Sequence, residues 1–306
     1  MTLLEKIRHT LLEDKGVWNL AVYIQEAPFS IDFDLKDPQE LLRCRRLKLF
    51  GPYPHTCADP FLFSKDDSLY IFYEKVFPHR HGTINALVTK DLCSYHDMGE
   101  ILREPYHLSF PYVFQDLNGN IFMMPESSRF GVLSLYSFRE FPRNVVKARD
   151  LLVGNFYDSS VILERERWYL FTTSPEGLHI FLTDDLRGGE LRAHPLNPVS
   201  TDPRYCRCGG APFRVGERLF RVAQDCSESY GRNIHLFEIV EISENRYQEI
   251  LVRENAIDLQ PDWCRLGSHH LSVTTFLGKT VICVDGKEPD VYANRFFSLF
   301  SRRYKK

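Results

Sequence analysis

Three carboxylates in this chain sit where acid–base chemistry could use them. Asp59 in Ala58-Asp59-Pro60 and Asp158 in Tyr157-Asp158-Ser159-Ser160 each enter a strand-like run of aromatic and branched residues. Glu126 in Pro125-Glu126-Ser127-Ser128 ends such a run. Cleavage or transfer of a glycosyl group needs this kind of set: one carboxylate activates the attacking oxygen or attacks itself, and one protonates the leaving oxygen. Burial and mutual repulsion would divide the roles by separating their pKa values. His107, His270, Gln224 and Asp225 offer hydrogen bonds to sugar hydroxyls, and Arg207 suits a phosphate or an acidic sugar. Each has a structural alternative. Asp-Pro is a turn former, Asp158 could cap its turn, Glu74 could be a solvated strand end, the histidines could be structural, and Arg207 and Arg221 could simply pair with acids.

The elements that must position these groups recur along the chain. Cys57 to Phe63, a turn at Lys65-Asp66-Asp67, and Ser68 to Glu74 read as a hairpin rich in residues that suit a pleated, buried surface. Similar hairpins follow, with equivalent positions expected at Asp59, Pro111, Asp158, Ala211 and His270, spaced 52, 47, 53 and 59 residues apart. Further strand candidates lie between them, at 84–89, 132–136, 178–182 and 234–239. A period near fifty residues with about four short strands each predicts an all-β, five-bladed β-propeller in one domain. Residues 57–290 hold the five repeats. Residues 17–56 supply a strand at Val17 to Ile24 that completes the last blade and closes the ring, plus an irregular lead-in with a short strand near 47–50. Leu3, Leu4, Ile7, Leu11 and Leu12 predict a short amphipathic helix within residues 1–16. Residues 291–306 form a basic tail.

Composition narrows the function classes. The 306 residues are 43% apolar and 26% charged, enough to bury a full core. A formal charge of −3 gives no electrostatic reason to expect nucleic acid. The 23 Phe and 15 Tyr suit an all-β core and a sugar-binding cleft equally. Eight cysteines without a CxxC pair read as reduced thiols in a cytoplasmic protein, and Cys206, Cys208 and Cys226 do not match structural zinc spacings. No apolar run reaches transmembrane length, and no cofactor or metal is expected.

Several strings carry a family resemblance. Ala58-Asp59-Pro60-Phe61, His107-Leu108-Ser109-Phe110-Pro111-Tyr112-Val113-Phe114, Pro125-Glu126-Ser127-Ser128 and Ala223-Gln224-Asp225-Cys226-Ser227 resemble the β-propeller domain at the N-terminus of plant glucosamine inositolphosphorylceramide transferases. The resemblance runs from about Phe50 to Gly286. It implies a carbohydrate or nucleotide-sugar substrate and, through bacterial relatives, association with surface-polysaccharide assembly enzymes. The plant proteins carry a separate glycosyltransferase domain, so a non-catalytic glycan-binding module is a second reading and an interaction scaffold a third. More distantly the chain is similar to the propellers of glycoside hydrolase families 43, 32 and 68. Family 43 would make Asp59 the general base and Asp158 the orienting carboxylate, and would match His270 to a central histidine. Where that family has its acid, this chain reads Cys208-Gly209-Gly210-Ala211-Pro212, so Glu126 or Asp225 would have to substitute.

Overall fold

Strand Ser68–Val76 shows why these hairpins stack. Leu69, Ile71 and Tyr73 project to one side and enter one hydrophobic cluster, while Phe72 enters another on the opposite side. A strand apolar on both faces must be covered on both, and neighbouring hairpins supply the cover. In the computed structural model, residues 16–26, 28–42, 56–77 and 80–289 are described. The expected N-terminal helix, the strand near 47–50 and the basic tail lie outside them.

The described residues form 21 strands. The first six are β1 (Gly16–Gln25), β2 (Glu40–Leu42), β3 (Thr56–Lys65), β4 (Ser68–Val76), β5 (Thr83–Thr89) and β6 (His96–Leu102). A second group is β7 (Ser109–Gln115), β8 (Ile121–Glu126), β9 (Val132–Glu140) and β10 (Arg143–Val153). A third is β11 (Tyr157–Glu164), β12 (Arg167–Ser174), β13 (Gly177–Thr183) and β14 (Arg192–Ala193). Then come β15 (Arg207–Cys208), β16 (Phe213–Val215), β17 (Arg218–Asp225), β18 (Asn233–Ile242) and β19 (Tyr247–Arg253), and finally β20 (Leu271–Phe276) and β21 (Lys279–Pro289).

Hydrogen bonding divides them into four sheets, of which the largest runs β20-β21-β1-β3-β4-β5-β6 with β2 beside β1. Among the described residues, the one strand-ladder pair between its two halves is the parallel pair Trp18↔Thr56. On the other side β1 pairs antiparallel with β21 from Gly16↔Pro289 to Gln25↔Thr280, so the start and end of the chain share one unit. Five hydrophobic clusters fill the spaces between successive units, and one of them joins Leu20, Val22, Val281 and Cys283 to Leu69, Ile71 and Tyr73. The last unit is thereby packed on the first.

Leu20 is fully buried in that closing cluster. Leu20→Ala should cost ~2–5 kcal/mol through lost burial and an unfilled cavity, read as a lowered midpoint in urea denaturation. An unchanged midpoint would mean that β1 does not hold the two ends together.

Candidate active site

The innermost strands β3, β7 and β11 share a defect near their starts. Each has a register shift, between Ala58 and Phe61, Ser109 and Tyr112, and Tyr157 and Ser160. At each shift one residue takes a left-handed backbone: Asp59 (φ 53°), Phe110 (φ 45°) and Asp158 (φ 48°). For a bulky Phe that conformation is strained, and it persists only where the surroundings over-determine it. Here the distortion aims the Phe110 N–H at Asp59 Oδ2, 3.1 Å away. The three bulges fall at the same place in their hairpins, so the counterpart of Asp59 in the second repeat is Phe110, not Pro111.

Asp59 is buried against the closing unit. Its N–H donates to Asp285 Oδ2 (3.1 Å), and its Oδ1 lies 3.8 Å from both His269 Nε2 and His270 Nδ1. Asp285, fully buried at the inner end of β21, accepts from the His269 and His270 N–H groups with Oδ1 and places Oδ2 2.5 Å from His269 Nδ1. Burial alone would depress the His269 imidazole, but the Asp285 charge and contact, with Asp59 beyond, raise it to about 9. Burial drives His270 the other way, to about 3, beneath the rings of Phe61 and Phe110. Burial also pushes Asp59 well above the usual carboxylate range; the His269 charge opposes this, while Glu74, Asp158 and Asp285 add to it. Trp18 of β1 stacks on His269 at 4.0 Å. Gly231, at φ +67°, is needed beside it, since a Cβ there would come within 2.9 Å of both His269 and Trp18.

Beside this group stands a second. Asp158 Oδ2 accepts from Arg207 Nε (2.6 Å) and Gln224 Nε2 (2.8 Å). Glu126, paired across the hairpin with Ser109, accepts from the Ser109 and Ser128 hydroxyls. Burial raises the Glu126 carboxyl to about 7, and the neighbouring Asp158 charge adds to the rise. A carboxyl of this kind exchanges a proton near neutrality.

Of the residues expected at the site, Asp59, Glu126, Asp158 and Arg207 come together. Gln224 does not face a ligand: it is fully buried, and its amide nitrogen is shared between Asp158 Oδ2 and Cys208 O (2.7 Å). It holds Asp158 in place. Asp225 is spent on its own loop, accepting from Ser227 N–H and Oγ, with Arg232 and His235 near its other oxygen. His107 has both ring nitrogens engaged, Nδ1 accepting from Gly82 N–H (3.0 Å) and Nε2 against Glu74 Oε1 (2.9 Å). Glu74 is accordingly a buried partner and not a solvated strand end. His270 lies under the site and is fully buried. The sequence reading missed His269, Tyr230 and the central part taken by Asp285; the adjacent His269-His270 pair was the available signal. Asp59, His269 and Asp285 each bring a donor atom within 4.8 Å of the others. Of these donors, Asp285 and His269 are ion-paired at 2.5 Å, and Asp59 stands 3.8 Å from His269.

Gly209 and Gly210, where the resemblance to family 43 would put an acid, have no room for a side chain. A Cβ on Gly210 would fall 2.2 Å from Leu271 O, and one on Gly209 would fall 2.9 Å from His269 O. Leu271 N–H donates to Gly209 O (2.8 Å), so the two repeats touch backbone to backbone and leave no room for a side chain.

The architecture is that of a β-propeller, the fold of family 43 glycoside hydrolases. An α-L-arabinofuranosidase from Clostridium thermocellum superposes with a TM-score of 0.57 over 74% of this chain and 81% of its own, at 12% identity. Residues 11–287 match the family described as glucosamine inositolphosphorylceramide transferase 1, N-terminal, and the chain belongs to that family. It is similar to glucosamine inositolphosphorylceramide transferase 1 of Arabidopsis thaliana, 29% identical over 90% of this chain. The protein of that name in Oryza sativa subsp. indica is 30% identical over 77%. The chain spans only 39% and 34% of those relatives' lengths. Among the described residues no helix is long and apolar enough to cross a membrane.

Between the ordinary value of 4.5 and about 7, folded Glu126 keeps a proton that the unfolded chain has released. Stability therefore falls as pH rises through that window. Glu126→Gln should match the wild type near pH 4.5 and exceed its stability at pH 8 by about 1–3 kcal/mol, measured by denaturant titration at both pH values. Parallel curves for the two proteins would contradict the placement of Glu126.

Proposed function

We propose that the repeats are five blades of one closed ring and that the protein acts on a glycosyl group at the ring's mouth, in assembly of a surface polysaccharide or glycoconjugate. The blade count is supported by the five inter-unit clusters and by the one strand-ladder pair, among the described residues, between the halves of the largest sheet. The observation that carries the activity is the convergence of Asp59, Glu126 and Asp158 from three repeats, with Glu126 poised near pH 7. Glu126 gives its proton to the leaving oxygen. Asp59, a strong base once ionised beside the charged His269, takes the proton of the attacking hydroxyl or water. Asp158, locked by Arg207 and Gln224, keeps the site in register. The relatives' name describes a transferase, which favours transfer over hydrolysis, and a nucleotide-diphosphate leaving group would need little acid help.

The side-chain-free Gly209-Gly210 contact supports a second reading, a glycan-binding module with no chemical step. A thermal-shift screen against nucleotide sugars, free nucleotides and short oligosaccharides identifies the ligand, because a compound that binds only the folded state raises the melting temperature. With that ligand as substrate, Asp59→Asn should lower turnover by about 10²–10⁴-fold while staying folded and melting no lower than the wild type. Turnover at the wild-type rate would remove Asp59 from the chemistry. Binding without turnover in either protein would select the module.

A further inference from the structure

Arg207 has more donors than its structural duty uses. Its Nε is anchored on Asp158 Oδ2 at 2.6 Å, and Gln224 already supplies that oxygen with a second donor. The guanidinium lies 5.3 Å from the Tyr157 ring and 4.9 Å from the Tyr230 ring, so its plane is held from two directions. Its terminal nitrogens have no hydrogen-bond partner among the described residues, and the side chain keeps 23% of its surface open to solvent. Arg221 differs in being enclosed: it is 1% exposed, spends Nε and Nη2 on Glu249 with Nη2 also on Tyr205 O, and keeps its remaining Nη1 shut off from solvent. That arginine is structural. Arg207 presents an unused planar fork at the mouth.

We propose that Arg207 is the receptor for an anionic group on the sugar substrate, a uronate carboxylate or a sugar phosphate. This rests on the glycosyl reading above. The fork geometry matches a carboxylate or phosphate through two parallel N–H donors. An anion at this place would be repelled by a cluster of ionised acids, but the cluster is already compensated. Asp158 is paired with Arg207 itself, and Asp285 with the charged His269. Asp59 and Glu126 are both held above the ordinary carboxylate range by burial. A neutral sugar would leave the Arg207 fork bound only to water, whereas an anionic one fills it.

Isothermal titration of the full chain with glucose, glucuronate, glucose 1-phosphate and inorganic phosphate tests this. At least one anionic sugar should bind ten-fold or more tightly than glucose. Arg207→Met, which keeps the stem and removes the fork, should bring that sugar down to the glucose level. The wild-type comparison stands whether or not the variant folds. Glucose binding as tightly as both anionic sugars, or an anion preference that survives in folded Arg207→Met, would overturn the proposal and leave the glycosyl reading intact. Binding by inorganic phosphate that Arg207→Met abolishes, with no sugar bound, would support the anion receptor and count against the glycosyl reading. No binding by any of the four would overturn the anion receptor and leave the glycosyl reading to the nucleotide-sugar and oligosaccharide screen.

Discussion

The structure depends on one buried carboxylate. Asp285 has no solvent exposure, and an uncompensated charge there would cost several kcal/mol. Its oxygens are occupied by the backbone N–H groups of His269, His270 and Asp59 and by the His269 ring. Burial pushes the Asp285 carboxyl up, but the His269 charge and its contact prevail and hold it below the ordinary value. Asp59 belongs to the first repeat and Asp285 to the last strand, so the same interaction that compensates the charge ties the two ends of the repeat array. Closure and the site are one piece of chemistry.

That arrangement sorts protons among neighbours that differ little in sequence. His269 faces Asp285 and is held charged, whereas His270, one residue on, sits among aromatic rings and is held neutral. Asp59 and Glu126 are raised by burial, while Asp158 is pinned by a guanidinium and an amide. Trp18 brings the N-terminal strand into the same network by stacking on His269. The repeats are not equivalent at their bulges: the first and third contribute the aspartates Asp59 and Asp158, and the second contributes Phe110.

Much of the fold was legible from alternation and period. The hairpin at 57–74 shows both its apolar faces in the order of its residues, and the observed turns at Asp66, Arg165-Glu166 and Leu277-Gly278 carry the positive φ values that tight hairpins use. Asp59, Glu126 and Asp158 were legible as carboxylates at strand ends on one side of the repeats. The rest was not, for local reasons. The second repeat's counterpart of Asp59 is Phe110 and not Pro111, because a repeat period fixes alignment only to within a residue or so, whereas the shared bulge fixes it to one. Gln224 and Asp225 look like sugar ligands by type, but their hydrogen bonds are taken by Asp158, Cys208 and Ser227. Choosing His269 over His270 required knowing where Asp285 points, a contact sixteen residues away for His269 and across the hairpin.

A charged His269 beside a neutral His270 is the direct signature of this network, and ring-nitrogen chemical shifts report it. In 15N-histidine-labelled protein followed by NMR from pH 5 to 10, one buried ring, assigned by His269→Gln, should stay doubly protonated until about pH 9. The other, His270, should remain neutral throughout the range. If His269 is instead neutral at pH 7, Asp285 is not compensated in the way that joins closure to the site, and the shared basis of the two is lost.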